Sequence, residues 1–251
     1  MFTIGLPYLT IKIAEKNHWS GDWEMEYFVI IPAAGKGTRM GAKENKLFLP
    51  INHLPVIAHT INVFEKDKWC KGIVLVVNPR DKEKMEHLID QYHFQKIFSI
   101  VNGGKERQYS VFEGLKELEK FPDHIVLIHD GARPLLKEKS IHRLVEKVQE
   151  TGSAILAVPV KDTIKVVGDG KVKKTLDRTN LMSIQTPQAF KISSIIQAHQ
   201  RAVQEGIVAT DDAALMELLG EEITIVEGDY ENIKITTAED LLLAQLLLSK
   251  N

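Results

Sequence analysis

The sequence predicts an α/β fold in which a doubly wound, mostly parallel sheet carries a projecting β-arm. Three observations lead to this prediction. Near-continuous apolar segments, such as residues 72–77 and 124–129, are typical of strands buried on both faces of a parallel sheet. These segments alternate with segments of helical periodicity. Residues 161–181 depart from the alternation and show the polar–apolar pattern of an exposed hairpin.

The individual elements follow from apolar periodicity. Strands are predicted where apolar residues run continuously, and helices where they recur every three or four residues. In chain order we predict strand 27–31, helix 56–64, strand 72–77, helix 81–92, strand 96–101, helix 106–118, strand 124–129, helix 137–150, strand 153–158, helices 192–205 and 211–219, strand 223–226 and helix 238–248. Thr210-Asp211-Asp212 and Thr236-Thr237 are plausible N-caps for the last two helices.

No repeat, low-complexity segment or linker divides the core, so residues 25–251 are predicted to form a single domain. Residues 1–24 lack a basic leader and an uninterrupted apolar segment, and a first strand follows Met25 almost at once. We therefore expect residues 1–24 to be an appendage outside the core. The arm at 161–181 turns at Gly168-Asp169-Gly170. Because a lone two-stranded hairpin is marginal in water, we expect the arm to pack on a second subunit.

Composition excludes several classes of protein. The 251 residues are 44% hydrophobic and 26% charged, which is ordinary for a globular protein, and the net charge of −2 gives no basic footprint for nucleic acid or a membrane surface. The chain has one cysteine, Cys70, so it can form neither an internal disulfide nor a thiolate zinc cluster. A single thiol fits a reducing cytoplasm. No apolar segment is long enough to span a bilayer.

The segment VIIPAAGKGTRMGAKENKLFLPI, residues 29–51, indicates a phosphate site. It places three glycines and four cations directly after an apolar strand, where backbone N–H groups can approach phosphate oxygens. Its spacing fails the Walker A pattern, and Met40 replaces the third glycine of the dinucleotide fingerprint. Arg39 and Lys46 are placed to reach oxygens around one phosphorus, whereas Lys36 and Lys43 could equally be solvated.

Two further strand ends carry polar residues that should meet the first loop, because ligands of such sheets bind at the carboxyl ends of the strands. The segment NGGKERQYSV, residues 102–111, turns at two glycines into a helix on which Ser110 could face the cleft. In IHDGARPLL, residues 128–136, Asp130 could hold a divalent metal or cap the turn, and Arg133 adds a cation. His129 is interpreted as a packing residue. Lys234 lies in an apolar, strand-like segment, where a lysine is costly unless it meets an anion.

The motifs PAAGKGTRMG, GGKERQYSV, HDGARP, VPVKDTIK, QTPQAF, TDDA and NIKITTAEDL occur in this order. In their order and spacing they resemble the bacterial 2-C-methyl-D-erythritol 4-phosphate cytidylyltransferases of the non-mevalonate isoprenoid pathway, from about residue 26 to 248. The resemblance implies a Rossmann-like nucleotidyltransferase fold. It also implies the reaction of CTP with 2-C-methyl-D-erythritol 4-phosphate to give 4-diphosphocytidyl-2-C-methyl-D-erythritol and pyrophosphate, with Mg²⁺ as cofactor and a homodimer joined through the arm.

Position by position, the resemblance implies that Arg39 and Lys46 stabilise the transition state at the α-phosphate. Arg178 would reach the sugar phosphate of the neighbouring subunit, and Lys234 would position that phosphate. The implied substrate-binding residues are Pro32, Ala33, Ala34, Gly35 and Gly37 in the first loop, Gly104, Lys105, Arg107 and Ser110 in the cytosine-reading segment, Asp130 and Arg133 beside the ribose and metal, and Thr163, Thr186, Thr210 and Thr236 elsewhere. Asp130 is the expected metal ligand, and Asp211 is expected to cap a helix instead.

Three alternatives stay open on the sequence. A sibling cytidylyltransferase that acts on ribitol 5-phosphate shares the loops, but it tends to begin with a Leu-Ala-Gly-Gly-type strand end instead of Pro32-Ala33-Ala34-Gly35. A CTP-binding module that does not turn CTP over would need binding residues only. A nicotinamide-dependent oxidoreductase would need to bind a dinucleotide despite the incomplete fingerprint.

Overall fold

Strands and helices alternate through most of the chain in the computed structural model, which describes residues 25–35 and 45–249. The strands are β1 (Tyr27–Ala33), β2 (Pro50–Ile51), β3 (Leu54–Pro55), β4 (Cys70–Val77), β5 (Ile97–Asn102), β6 (Ile125–Ile128), β7 (Ser153–Pro159), β8 (Lys165–Gly168), β9 (Lys171–Thr175), β10 (Met182–Lys191) and β11 (Thr224–Glu227). The helices are α1 (Val56–Lys66), α2 (Lys82–Tyr92), α3 (Arg107–Lys116), α4 (Glu138–Thr151), α5 (Ile192–Glu205), α6 (Asp212–Leu218) and α7 (Ala238–Leu248).

One seven-stranded sheet, in the order β11-β7-β10-β6-β1-β4-β5, forms the centre of the molecule. Strand β1 pairs in parallel with β4 and with β6, so that Ile30 lies between Val74 and Ile128. Only β10 runs antiparallel, and it pairs with β6 on one side and β7 on the other. The predicted α/β fold with a mostly parallel sheet is therefore confirmed.

Strand β10 was not predicted, although it is central. Its sequence, MSIQTPQAFK, mixes polar residues with Pro187, and proline within a segment argues against a central strand. The register of β10 against β7 shifts between Ile184 and Gln188, and this irregularity accommodates the proline. The polar side chains of Gln185, Thr186 and Gln188 are buried and hydrogen-bonded, which is why apolar pattern alone could not indicate the strand.

Helices cover both faces of the sheet. Alternate residues of a strand point to opposite faces, so Val29 and Ile31 belong to one apolar cluster while Phe28 and Ile30 belong to the other. The first cluster includes buried residues of α1, α2, α4 and α7, and the second includes those of α3, α5 and α6. None of the helices in the described part of the chain combines the length and apolar character needed to cross a bilayer.

The arm is present as the hairpin of β8 and β9, which pair antiparallel. Its turn uses Asp169 at φ 53° and Gly170 at φ 71°, the left-handed pair that a tight two-residue hairpin turn favours. Val167 and Val172 are 60% and 61% exposed. The hairpin thus matches the predicted arm, and its packing on a second subunit stays a prediction.

One predicted strand is absent, and several predicted residues lie outside the described part of the chain. The segment around Lys234 is irregular and not a strand, because its backbone leaves the sheet after β11. The expectations for residues 1–24, Lys36, Gly37, Arg39 and Lys43 lie outside the described residues.

Candidate active site

A cavity of about 350 Å³ opens at the carboxyl ends of β1, β5 and β6. Parallel strands end at the same edge of a sheet, so their following loops converge there. Most of the predicted residues that lie in the described ranges line this cavity: Pro32, Ala33, Ala34, Gly35, Lys46, Gly104, Lys105, Arg107, Ser110, Asp130 and Lys234. Residues from five separate segments of the sequence therefore meet at one place.

One wall of the cavity depends on the glycine turn between β5 and α3. A Cβ atom on Gly103 would lie 2.3 Å from the Cβ of Ala34, and a Cβ on Gly104 would lie 2.5 Å from the Cβ of Tyr109. Real Cβ atoms do not approach so closely, so glycine is required for the two loops to pack. Ser110 fastens the turn, because its hydroxyl accepts from the Gly104 N–H at 3.1 Å and donates to the Glu106 carbonyl at 3.0 Å.

The electrostatic centre of the cavity is Asp130. Its Oδ1 accepts from Arg107 Nε at 3.1 Å, and its Oδ2 lies 2.6 Å from Lys234 Nζ and 4.0 Å from Arg133 Nε. Burial alone would raise the pKa of Asp130, but the Arg107 and Lys234 cations, with a smaller effect of Arg133, hold that pKa well below its usual range. Asp130 is therefore ionised across the neutral pH range.

Arg107 connects Asp130 to a second buried carboxylate that sequence reasoning missed. Its Nη1 donates to Asp212 Oδ2 at 2.6 Å, and the imidazole of buried His199 lies 3.3 Å from Asp212 Oδ1. Burial would raise the pKa of Asp212, but Arg107 and His199 together lower it. The Nη2 of Arg107 is buried and has no hydrogen-bond partner among the described residues.

The two adjacent acids at the start of α6 have different roles. Asp211 is the N-cap, as predicted, since its Oδ1 accepts from the Ala214 N–H at 3.1 Å. Its Oδ2 accepts from Gln188 of β10 at 2.7 Å. Asp212, one position later, points into the protein toward Arg107. The only signal for Asp212 in the sequence is the doubled acid in the TDDA motif, since one cap requires one side chain.

Lys46 and Lys234 lie on the same wall of the cavity. Lys46 begins a short 3₁₀ helix that is capped by Asn45, whose side chain accepts from the Leu47 N–H at 3.1 Å. Lys46 Nζ donates to the carbonyl of Ile235 at 2.7 Å, directly after Lys234 in the chain. Lys46 thus contacts the residue that follows Lys234, and both lysines line the cavity together with Asp130.

Asp130 is also the predicted metal ligand. Both of its oxygens contact cationic side chains, so a bound Mg²⁺ would share the carboxylate with Lys234 or displace it. A single carboxylate fits an ion that keeps several waters and takes its other ligands from substrate phosphates. The donor set suits Mg²⁺ carried by a nucleoside triphosphate, and the described residues around Asp130 form no all-protein metal cage.

The other predicted residues of the described ranges do not line the cavity. Thr186 holds a residue of the cavity wall in place, because its hydroxyl accepts from the Asp130 N–H at 3.0 Å. Arg133 donates to the Asn232 carbonyl at 2.7 Å, and Thr236 donates to Asp240 at 2.8 Å in the cap of α7. Thr163, Arg178 and Thr210 are exposed, and the Arg178 guanidinium contacts the Lys161 carbonyl at the base of the arm.

His129 and Cys70 are both buried. His129 contacts the Arg133 carbonyl through Nε2 at 3.0 Å, and burial lowers the pKa of its imidazole to about 4. It is a neutral packing residue, as the sequence suggested. Cys70 lies in β4, and burial raises the pKa of its thiol to about 12, which leaves it protonated and unreactive.

Comparisons with known proteins agree with this arrangement. The family model of 2-C-methyl-D-erythritol 4-phosphate cytidylyltransferase matches residues 27–250. The chain is 52% identical over 226 residues to the protein of that name from Halalkalibacterium halodurans. This match covers 90% of this chain and 98% of the relative. It is 50% identical over 224 residues to that of Bacillus licheniformis, with coverages of 89% and 96%.

Solved structures give the same result. The crystal structure of 4-diphosphocytidyl-2C-methyl-D-erythritol synthase from Anaerococcus prevotii superposes with a TM-score of 0.78 at 32% identity, covering 90% of this chain and 97% of that one. The structure of 2-C-methyl-D-erythritol 4-phosphate cytidylyltransferase from Thermus thermophilus has a TM-score of 0.74 at 30% identity, with coverages of 90% and 100%. The resemblance noted in the sequence is thus confirmed, and the chain belongs to the 2-C-methyl-D-erythritol 4-phosphate cytidylyltransferase family.

Proposed function

We propose that this chain transfers the cytidylyl group of CTP to 2-C-methyl-D-erythritol 4-phosphate. The products are 4-diphosphocytidyl-2-C-methyl-D-erythritol and pyrophosphate, and the reaction belongs to isoprenoid biosynthesis. Family membership supports the choice of substrates. The observation that carries the proposal is the convergence of Lys46, Lys234 and Asp130 on a cavity bordered by a glycine turn. This arrangement suits the meeting of two phosphates.

The chemistry needs cations more than it needs a base. A phosphate oxygen of the sugar substrate forms a new bond to the α-phosphorus of CTP, and the bond to the pyrophosphate oxygen breaks. The attacking phosphate monoester is already ionised near neutral pH, so no side chain has to remove a proton. The barrier comes from bringing two anions together and from charge that develops on the phosphoryl oxygens. Lys46 and Lys234 are placed to offset that charge, and Arg39 is proposed to join them.

Lys234 has a specific part in this reaction. Its ammonium group contacts Asp130 at 2.6 Å, and its side chain is 42% exposed, so it can turn toward an arriving phosphate. A dianionic phosphate competes favourably with one carboxylate for this cation. Movement of Lys234 to the sugar phosphate would release Asp130 Oδ2 for the ribose or for Mg²⁺, while Arg107 continues to hold Oδ1. Binding of the two substrates would then be coupled through Asp130.

The nucleotide is proposed to lie against the first loop and the glycine turn. Pro32, Ala33, Ala34 and Gly35 form the wall at the end of β1, and Gly104 and Lys105 form the wall at the end of β5. Ser110 acts here by holding the turn in shape, because both of its local hydrogen bonds are to the backbone of that turn.

Mg²⁺ is the proposed cofactor. It would be held mainly by the triphosphate of CTP, with Asp130 as the carboxylate that the protein supplies. When bound, it neutralises charge on the leaving pyrophosphate. The cytoplasm is the proposed location, consistent with one buried cysteine and small phosphorylated substrates.

A homodimer joined through the arm is also proposed. The hairpin exposes Val166, Val167 and Val172, and it pairs with no other strand of the described chain. Arg178 and Thr163 lie at the ends of this arm on the surface. By the family resemblance, Arg178 is proposed to serve the sugar phosphate in the partner's cavity, and its exposed position on the arm is compatible with that role.

The test is pyrophosphate release by the purified chain with Mg²⁺ and CTP, with methylerythritol phosphate and ribitol 5-phosphate in parallel reactions. We expect release only with methylerythritol phosphate. Lys46→Ala should reduce kcat/KM by about 10²–10³-fold, the usual cost of one transition-state donor. Lys139→Ala, which removes an exposed lysine outside the cavity, is the matched control and should match the wild type.

Other outcomes identify the alternatives. Release with ribitol phosphate alone would keep the phosphate chemistry and reject the proposed substrate. CTP binding without release in either reaction would indicate a binding module. Nicotinamide fluorescence changes on titration with a dinucleotide would favour an oxidoreductase.

A further inference from the structure

A second group of ligand-type side chains lies outside the active-site cavity. Asp67 follows α1, and Glu138 and His142 lie on the first turns of α4. One ligand atom from each of the three lies within 4.8 Å of the other two. His142 Nε2 is 3.0 Å from Asp67 Oδ1 and 3.8 Å from Glu138 Oε1. None of the three lines the cavity that holds Asp130.

The geometry of the three atoms fits a small coordination sphere. Zinc bonds to imidazole nitrogen and carboxylate oxygen are about 2.0–2.2 Å long, so tetrahedral ligands lie about 3.4 Å apart. The separations of 3.0 and 3.8 Å from His142 Nε2 bracket this value. Glu138 and His142 are four residues apart, which places both on the same face of the helix. Two carboxylates and a neutral imidazole also balance the charge of a divalent ion.

Neighbouring residues hold the ligands in place. Asp67 is fully buried, and its Oδ2 accepts from the Tyr27 hydroxyl at 2.6 Å. Its Oδ1 accepts from the Trp69 N–H at 3.0 Å and keeps a second lone pair toward His142. The Trp69 indole stacks on the imidazole with centroids 3.8 Å apart. Metal sites typically rely on outer contacts of this kind to orient their ligands.

The carboxylate of Asp67 is contacted from the side of His142. Lys96 donates to the backbone carbonyl of Asp67, whereas Tyr27 and His142 contact its carboxylate. Glu138 leaves this side of the site open to solvent, since its side chain is 63% exposed. An ion could therefore reach all three ligand atoms from the surface.

We propose that Asp67, Glu138 and His142 form a binding site for a divalent transition-metal ion of the Zn²⁺ type, separate from the Mg²⁺ of the reaction. Imidazole with carboxylates is a donor set that favours such ions over Mg²⁺. The ion would replace the hydrogen bond between His142 and Asp67. A water molecule on the solvent side, next to Glu138, would complete the coordination.

Calorimetric titration of the full chain with Zn²⁺, after treatment with a chelator and without nucleotide, tests the proposal. We expect one Zn²⁺ per chain that depends on these residues, and at least about tenfold weaker binding in His142→Ala. Glu138→Gln is a second variant that should also weaken binding, and its exposed position leaves folding intact. Co²⁺ should give visible d–d absorption in the wild type that is lost in both variants.

The matched control is His87→Ala. Glu83 and His87 are an exposed pair with the same spacing on α2, but among the described residues they join no third ligand at this distance. This variant should bind Zn²⁺ as the wild type does. Wild-type protein that fails to bind Zn²⁺, or binding that survives both His142→Ala and Glu138→Gln, would overturn the proposal and leave His142–Asp67 as a structural hydrogen bond.

Discussion

The ammonium group of Lys234 lies 2.6 Å from the Oδ2 of Asp130, although 104 positions separate the two residues in the chain. Lys234 belongs to the irregular segment after β11, and Asp130 follows β6. The pair links the two cations of the proposed phosphate site to the carboxylate proposed for the nucleotide and Mg²⁺. In the proposed reaction, this pair would couple the binding of the two substrates.

Removal of Lys234 should lower the rate with the sugar phosphate. Lys234→Ala is expected to lower kcat/KM for the sugar phosphate by about 10²-fold, since it removes one cation from the transition state. Arg107, whose charge is the largest single influence that lowers the pKa of Asp130, remains in the variant, so Asp130 stays ionised near neutral pH. The loss should therefore be equal at pH 7 and pH 8 in steady-state kinetics. A loss that disappears at the higher pH would contradict the role of Lys234 as a phosphate-binding cation.

Asp212 should stabilise the protein by balancing the buried guanidinium of Arg107. Asp212→Asn is expected to cost about 3 kcal/mol in the free energy of unfolding, because it leaves buried charge less compensated. Burial would raise the pKa of Asp212, but the folded state holds it below its ordinary value, so its contribution is present above the unfolded pKa and is lost as pH falls. Urea denaturation at several pH values measures this effect.

The neighbouring acid provides the control for Asp212. Asp211→Asn keeps a side chain that can cap α6, so its cost should stay below about 1 kcal/mol. Equal losses in the two variants would mean that the Arg107 pair adds nothing beyond the helix cap.

Gly103→Ala should damage nucleotide binding. The added Cβ would lie 2.3 Å from the Cβ of Ala34, so the loops after β1 and β5 must separate. We expect the KM for CTP to rise by at least about tenfold, since a small displacement at such a site is costly. Steady-state kinetics with varied CTP measures the change.

Gly206→Ala is the comparison for Gly103→Ala. Gly206 has φ +67° and open space around its Cβ position, so alanine there costs about 1 kcal/mol of stability through backbone strain alone. Its KM for CTP should stay unchanged. A comparable KM increase in Gly206→Ala would show that lost stability, and not loop packing, explains the effect of Gly103→Ala.

Arg178→Ala should raise the KM for the sugar phosphate more than that for CTP, because the arm is proposed to reach the partner's sugar phosphate. Mixing this variant with Lys46→Ala tests the exchange directly. In a mixed dimer one cavity would have both residues intact, so random mixing should restore about a quarter of wild-type activity when the sugar phosphate is kept well below the raised KM of Arg178→Ala. No gain over the separate variants after subunit exchange would place Arg178 in its own chain's site.

Arg201→Ala serves as the control for the arm variant. Arg201 is exposed on α5 and pairs with Glu205, away from the cavity and the arm. It should leave both KM values unchanged.

Local sequence periodicity predicts the alternation of apolar strands and amphipathic helices, because it indicates which face of an element is buried. Periodicity does not indicate strand β10, since several of its buried side chains are polar and form hydrogen bonds with residues elsewhere in the chain. Lys234 illustrates both cases. Its apolar neighbours indicated that it must meet an anion, but they also suggested a strand that is absent from this segment of the structure.

The α/β class, the hairpin turn at Asp169-Gly170, the Asp211 cap and the family can be predicted from the amino-acid sequence, because each depends on residues close together in the chain or on motif order. Three contacts are visible only in the folded chain: Arg107 bridges Asp130 and Asp212, the Thr186 hydroxyl accepts from the Asp130 N–H, and Asp67 contacts His142. Contacts between distant residues depend on how strands pair and helices pack, and local pattern does not record those distances.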